Sequence, residues 1–279
     1  MKKKLRNSFF PLNLFVILII AGVVLSTACT VDQTSVDLRK ANWSIKQKDF
    51  NSAVQFYKRI IKRKPKSAES LEAAKMGYRV ALFNLEDFKE AVGFLSHIVT
   101  NSPHQDDRKE AQRNLATLYF EKINDYRASV IELNRYLNLE LDKEEAIDFR
   151  FDLARSHFYL KEFYQSEVEI NTLLKEELPE KKKFQALLFL ANVYLANKQT
   201  EKAIAQIKLL KKDYPVFSDR ENINITLSVA YEELNDFSSA IEILQNMRNG
   251  YSKPEFIDLK IKRLQERQKN LPGARGLRK

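Results

Sequence analysis

The sequence predicts an all-α fold built as a solenoid of repeated helical hairpins. Small residues recur at intervals of 37 or 38 residues, at Ala53, Ala91, Ser129, Ser166, Ala203 and Ala240. Aromatic or bulky apolar residues stand three before, four after and seven after almost every one of them. These offsets trace one face of an α-helix, because 3.6 residues per turn bring them into a single stripe. Self-similarity at a period of roughly 20–50 residues is typical of a solenoid.

A first helix precedes this second helix in the repeat. In the fifth repeat, for example, Leu190 and Tyr194 stand thirteen and nine residues before the small residue, on one helical face. Polar turn pairs such as Asn235-Asp236 separate the two helices. Prolines, which stop a helix, follow the second helix in four repeats, at Pro65, Pro103, Pro179 and Pro215. The unit is therefore helix, turn, helix, stop.

This unit resembles the tetratricopeptide repeat family, whose pattern runs Leu/Ala and Tyr through the first helix, then aromatic, Ala, aliphatic and Pro through the second. The best matches are Leu190, Ala191, Tyr194, Ala203, Ile207, Leu210 and Pro215, followed by Leu227, Ser228, Tyr231, Phe237, Ala240, Leu244 and Met247. The resemblance covers roughly residues 34–250 and implies a right-handed superhelical solenoid of about six repeats. The family's Trp and its Gly beside the Leu are missing, and the period is longer than the family's ~34 residues.

The predicted order along the chain is six repeats, a capping helix and a tail. The repeats are expected at about 34–66, 67–105, 106–142, 143–180, 181–217 and 218–251. A capping helix is expected over 252–270, because Ser252 and Pro254 favour a helix start. Its apolar face would cover the last repeat with Phe256, Ile257, Leu259, Ile261 and Leu264. Residues 271–279 form a basic tail that we expect to be disordered.

Residues 1–28 have the pattern of a secretory signal peptide. Four basic residues precede an apolar run over 14–25, and small residues follow it. Cys29, the only cysteine, comes directly after Ala28 and resembles the acylated cysteine of bacterial lipoproteins. The resemblance implies a fatty-acylated N-terminus, with palmitate as a typical acyl group, and a lipidated linker over 29–33. Two alternatives stay open: an ordinary signal peptide with a free thiol at Cys29, and a retained membrane helix, although the core is short for the ~20 residues a span needs.

Sorting and charge suggest where the protein is held. Thr30 stands where an Asp would favour retention in the inner membrane, so we expect the outer membrane and a periplasm-facing chain, with the inner membrane or cell surface left open. The net charge is +10, but acidic and basic residues balance over 29–250. Residues 1–28 account for +4 of this charge and residues 251–279 for +6. Candidate contacts to anionic lipid or lipopolysaccharide near the C-terminus are Lys260, Lys262, Arg263, Arg275, Arg278 and Lys279. The alternative is a solubilising end. Export argues against nucleic acid as a partner.

The sequence contains no pattern typical of catalysis. His97, His104 and His157 lack metal-ligand spacing, and six glycines leave no room for a glycine-rich phosphate loop. We therefore expect a protein that is not an enzyme, with no catalytic residue, metal or cofactor.

The family resemblance also implies a binding groove lined by the first helix of each repeat. Carried across, the groove positions are Arg113, Thr117, Phe120, Phe151, Arg155, Phe158, Tyr159, Leu188, Asn192 and Leu195. Aromatic and arginine side chains dominate binding energy in protein interfaces. The alternative is that Phe151 and Phe158 are buried between helices.

The predicted function is a membrane-anchored scaffold lipoprotein that mediates protein–protein interactions in the bacterial cell envelope. Its partner would be an envelope protein or peptide, in the assembly of an outer-membrane, pilus or envelope complex. The competing prediction is an envelope accessory protein that binds peptidoglycan or another glycan.

Overall fold

The computed structural model describes residues 32–270, and this part of the chain is helical, with no strand. The predicted all-α repeat fold is confirmed. The predictions on the signal peptide, on Cys29 and on Arg275, Arg278 and Lys279 concern residues outside the described range. None of the described helices is long and apolar enough to cross a bilayer.

The chain divides after Arg108 into two compact units. The first unit contains α1 (Gln33–Lys46), α2 (Phe50–Arg63), α3 (Ala68–Phe83), α4 (Phe88–Asn101) and the start of α5 (Gln105–Leu118). The second unit contains the rest of α5, a π-helical turn (Tyr119–Ile123), α6 (Tyr126–Leu137), α7 (Lys143–Tyr159), α8 (Phe163–Leu173), α9 (Glu180–Ala196), α10 (Thr200–Asp213), α11 (Pro215–Arg220), α12 (Ile223–Glu233), α13 (Phe237–Met247), a 3₁₀ turn (Arg248–Gly250) and α14 (Pro254–Lys269).

The periodic small residues are fully buried between packed helices. All six have 0% of their surface exposed. Both serines satisfy their hydroxyls. Ser129 Oγ of α6 lies 3.0 Å from Ser156 Oγ of α7, in the next hairpin, whereas Ser166 Oγ donates to the Ala154 carbonyl at 2.8 Å within its own hairpin. Because a buried hydroxyl is costly only when unpaired, serine replaces alanine in these two repeats without an unsatisfied polar group.

The hairpin turns share a backbone feature that the residue types do not reveal. The residue five before each small residue adopts a left-handed conformation, with φ between 51° and 63°, at Lys48, Glu86, Asn124, Lys161, Lys198 and Asn235. An aspartate follows in four of the turns and caps the second helix; Asp87 Oδ1, for example, accepts from the Glu90 N–H at 3.0 Å. The left-handed residue reverses the chain in few residues, so the two helices can pack side by side.

Apolar clusters join each hairpin to its neighbour in the second unit. One cluster combines Ile170 and Leu173 of α8 with Leu190 of α9. The next combines Ile207 of α10 with Ile223 of α12. Full burial of one such side chain contributes about 1.5–3 kcal/mol, so stacking of consecutive hairpins supplies the core.

The connection after the fifth repeat is longer than the sequence predicts. Pro215 ends α10 as expected, but it also begins the short helix α11, so the predicted repeat boundary at 217/218 falls inside a helix. Proline suits a first helical position because its φ is already near the helical value. Phe217 stacks on Phe184 with ring centroids 5.4 Å apart, and Ser218 Oγ donates to the Leu210 carbonyl at 3.0 Å. The extra helix thereby covers the end of the fifth hairpin.

Helix α14 packs against the last hairpin. Ile257, Ile261 and Leu264 are buried on a cluster formed with Phe237, Ala240 and Leu244. Phe256 and Leu259, which the sequence placed on the same face, are exposed. They lie off the i, i+4, i+7 stripe that contacts α13. The apolar face is therefore narrower than the sequence suggests.

The close crossing at Ala203 predicts a large effect of an added side chain. Ala203→Arg must displace a helix or bury a charge, and we expect it to lower the free energy of unfolding by at least ~3 kcal/mol. Ala205→Arg, the same change at an exposed position of the same helix, should cost under ~1 kcal/mol. Urea unfolding followed by circular dichroism measures both. Equal losses for the two variants would contradict the crossing.

Candidate functional site

The candidate site lies on first helices of consecutive repeats in the second unit, namely α5, α7 and α9. All ten groove positions from the sequence fall on these helices or on the π-helical turn after α5. Arg113 and Thr117 stand one residue further from their small residue than do Phe151 and Arg155 from theirs. The π-helical turn accommodates this additional residue. Arg113 therefore corresponds to Phe151, and Thr117 to Arg155.

An unbroken run of aromatic contacts crosses the site. We call this surface the aromatic face; its rings are Phe120, Tyr126, Tyr159, Phe158, Phe189 and Phe151, in order of contact. Tyr126 and Tyr159 stack at 4.4 Å between ring centroids. Phe189 lies 5.4 Å from both Phe158 and Phe151. One chain of ring contacts thus joins the π-helical turn and α6 of the third repeat to the first helices α7 and α9.

A charged pair is set into the aromatic face. The Arg155 guanidinium stands over the Phe120 ring, 4.8 Å from its centroid, and its Nη1 donates to Asp152 Oδ1 at 3.2 Å. Burial raises the pKa of Asp152 to about 6; Arg155 opposes this rise, whereas Glu121 adds to it. The face therefore combines rings, a fixed cation and a carboxyl that titrates above the usual aspartate range.

Solvent reaches this surface unevenly. Tyr159 has 47% of its surface exposed, and Phe151 and Phe158 are half-buried. Phe120 is only 6% exposed, so its prediction as an accessible groove residue is corrected: the ring supports Arg155 from below. Arg113 is exposed, with Nε 3.4 Å from Glu145 Oε1.

The residues predicted on α9 have a different role. Leu188 and Leu195 pack against the core cluster shared with the next hairpin, and Asn192 is half-buried. Phe189, which sequence reasoning did not select, carries the aromatic face across α9. The adjacent residue Leu190 is in the core. Helical periodicity therefore places Phe189 at the edge of the buried stripe and does not identify it as a groove residue. One sequence signal could have identified it: the first helix α7 contains Phe151 and Phe158, and the next first helix, α9, contains the aromatic Phe189.

The basic residues proposed for an anionic surface are not equally available. Arg263 Nη2 lies 3.6 Å from Glu232 Oε1, and Arg267 engages the same carboxylate. Lys260 stands over the Phe256 ring at 5.6 Å, and Lys262 is exposed. Arg263 thus also links α14 to α12, and its side chain remains largely exposed.

A serine–histidine pair in the first unit has a structural role. His97 Nε2 lies 2.8 Å from Ser70 Oγ, a geometry that could suggest a nucleophile and its base. Ser70 is fully buried, however, and its hydroxyl donates to the Pro65 carbonyl. The Asn101 amide donates to His97 Nδ1 at 3.3 Å, which leaves Nε2 as the donor to Ser70. Burial lowers the pKa of His97, and the pair fastens α3 to α4.

Clusters of three or more metal-ligating side chains are not found within residues 32–270.

Comparisons with known proteins agree with this architecture. Residues 36–67 match the tetratricopeptide repeat family. A comparison with curated protein sequences gives no significant match. The solved structures similar in fold include the apo form of RapI, with a TM-score of 0.55, 16% identity, and coverage of 86% of this chain and 72% of that one.

Two further solved structures are also similar in fold to this chain. Naa15/Naa10 bound to HypK-THB has a TM-score of 0.52 at 14% identity over 84% of this chain, which spans 39% of that chain. PilW, a type IV pilus biogenesis factor, has a TM-score of 0.49 at 12% identity, over 81% of this chain and 98% of that one. The chain thus carries a tetratricopeptide repeat and folds as tandem repeats of that type. Repeat solenoids typically present an extended surface to a binding partner.

The raised pKa of Asp152 predicts a pH dependence of stability. A carboxyl with a folded-state pKa of about 6, against 3.8 in an ordinary setting, binds a proton more tightly in the folded chain. Stability should therefore fall as pH rises from about 4 to about 6. Asparagine does not titrate in this pH range, so the free energy of unfolding of the Asp152→Asn variant should vary less across this window. Urea titrations at several pH values provide the test, and an unchanged slope in the variant would contradict this environment.

Proposed function

We propose that this protein is a lipid-anchored scaffold of the bacterial cell envelope that holds a protein or peptide partner against the aromatic face. The observation that carries the proposal is the run of six contacting rings with Arg155 set into it. Rigid aromatic side chains and arginine supply most of the binding energy in protein interfaces, because they offer large contact area with few rotatable bonds.

The chemistry of this surface favours a polypeptide over a glycan. A glycan site needs exposed carboxylates and amides to bind several hydroxyl groups. On the aromatic face, the Asp152 carboxylate is already engaged by Arg155, and Asn192 is half-buried. A partner with an apolar or aromatic side chain would contact Phe158 and Tyr159, and its carboxylate would meet Arg155.

The anchor is part of the same proposal and rests on the sequence. Cys29 would carry the acyl chains, at the outer membrane and facing the periplasm. Helix α1 begins at Gln33, four residues later, and an extended chain spans at most ~3.6 Å per residue. The first hairpin would therefore start within about 15 Å of the acylated cysteine. The exposed Lys262 would be one candidate contact with anionic lipid or lipopolysaccharide.

Cys29→Ser tests the anchor. Because Cys29 is the only cysteine, the variant should incorporate no radiolabelled palmitate and should leave the membrane fraction. Fractionation of cells expressing either chain, with immunoblotting, measures this. Membrane retention of the variant at unprocessed size would indicate a retained helix instead, and release of the wild-type chain would point to an ordinary signal peptide.

Site-specific photo-crosslinking tests the aromatic face. p-Benzoylphenylalanine at Tyr159 should trap a discrete protein partner in living cells, because this ring is accessible and at the centre of the face. Tyr164 offers a matched control, since it is also an exposed tyrosine in the same repeat but on α8. Arg155→Ala should reduce the Tyr159 adduct by about tenfold if the arginine is an interface hot spot.

Equal adducts from both positions, or an adduct at Tyr159 that Arg155→Ala leaves unchanged, would count against the aromatic face as the binding surface. Release of crosslinked glycan strands in place of a protein would support the competing glycan-binding role.

A further inference from the structure

A second recess lies in the second unit, away from the aromatic face. It has a volume of about 530 Å³, is open to solvent and is bordered by α10, α12 and α13. Volumes of roughly 300–1,000 Å³ are typical of pockets that take a ligand or a side chain of a partner. The elements around it are two second helices and the first helix between them, whereas the aromatic face is built on first helices. We call this recess the lysine cavity.

The floor of the lysine cavity is apolar. Leu227, which is only 4% exposed, lies at its base, with Tyr231 and Ile243 half-buried beside it. These side chains belong to the apolar clusters that join the fifth hairpin to the sixth. An apolar side chain placed here would be removed from water, at about 25 cal/mol per Å² of buried surface.

The rim of the cavity is cationic. Lys208, Lys211 and Lys212 approach it from one face of α10, since residues three and four apart are neighbours on a helix. None of these ammonium groups forms an ion pair with a carboxylate among residues 32–270, although Glu242 also borders the cavity. Lys208 instead stands over the Tyr231 ring, 5.6 Å from its centroid.

Lys58 in the first unit occupies the position that corresponds to Lys208, but its charge is paired. Lys58 and Lys208 both stand five residues after a small residue, and Glu90 and Ser239 both stand one residue before the next. Lys58 Nζ binds Glu90 Oε1 at 2.7 Å, which links α2 to α4. Ser239 provides no carboxylate, and its hydroxyl donates to Asp236. The charge that is neutralised within the first unit is therefore left unneutralised beside the lysine cavity.

We propose that the lysine cavity binds an acidic segment of a protein partner, with an aliphatic side chain on the floor and flanking carboxylates on the three lysines. The difference in burial supports a peptide: the apolar lining residues are buried or half-buried and the three lysines are exposed, so a ligand that reaches both must carry an apolar group beside its charges. A flat anionic bilayer cannot fill the floor, and an inorganic anion would leave it unoccupied. Asn246 at the edge offers an amide to the peptide backbone.

The probe is a fluorescein-labelled peptide, Glu-Glu-Leu-Glu-Leu-Glu-Glu, titrated against the processed full-length chain in detergent and followed by fluorescence anisotropy. Lys211→Glu combined with Lys212→Glu should weaken binding by about tenfold or more, because two attractive contacts become repulsive. Lys181→Glu combined with Lys183→Glu is the matched control, since it changes the charge equally at exposed positions of α9. This control pair should change the dissociation constant of the peptide by no more than about twofold, because salt screens charges that are far from the bound peptide. Thermal melts confirm that both variants fold.

The apolar floor is tested on the peptide, which leaves the protein intact. Replacing both leucines with serine should weaken binding about fivefold or more. Equal affinity for the two lysine pairs, or for the leucine and serine peptides, would overturn the proposal. Displacement of the probe by inorganic phosphate or by phosphatidylglycerol vesicles at equivalent charge concentration would also overturn it, in favour of a simple anion or a membrane surface.

Discussion

The structure depends on one steric constraint: the six periodic small residues are fully buried between packed helices. Where a side chain must be no larger than alanine or serine, the two backbones come near enough for the apolar stripes on either side to interlock. The left-handed residue five positions earlier brings the second helix back at the required spacing. The small residue and the left-handed residue together produce a hairpin with apolar residues on its outer surface. Those residues become buried when the next hairpin packs against them.

The aromatic face is a consequence of this stacking. Its rings come from the π-helical turn after α5 and from α6, α7 and α9, and each of these elements contributes only part of the face. Each ring contact between neighbouring helices adds about 0.5–1.5 kcal/mol beyond area burial. The aromatic face and the packing of the second unit therefore share the same contacts, so a change at Phe158 or Phe189 should alter both.

Repetition also lets equivalent positions serve different purposes. Five residues after a small residue, Lys58 in the first unit forms an ion pair with Glu90, whereas the equivalent Lys208 in the second unit borders the lysine cavity. The small residues and the apolar stripe recur because they determine packing. The charged positions vary, since a solvent-facing side chain affects stability little. Variation at those positions is what gives a repeat scaffold distinct surfaces.

The sequence by itself determined the repeat, its period and the pairing of an amphipathic first helix with a second, because residue size and helical periodicity are local properties. It also indicated most of the helices that carry the candidate site. Three features came only from the tertiary structure. The π-helical turn at Tyr119–Ile123 accommodates an additional residue within the third hairpin, and the short helix α11 accommodates additional residues between the fifth and sixth hairpins. The inclusion of Phe189 and the burial of Phe120 depend on which neighbour each ring meets. The raised pKa of Asp152 requires both burial and the nearby Glu121. Each depends on contacts between residues distant in sequence, which a pattern along one helix does not contain.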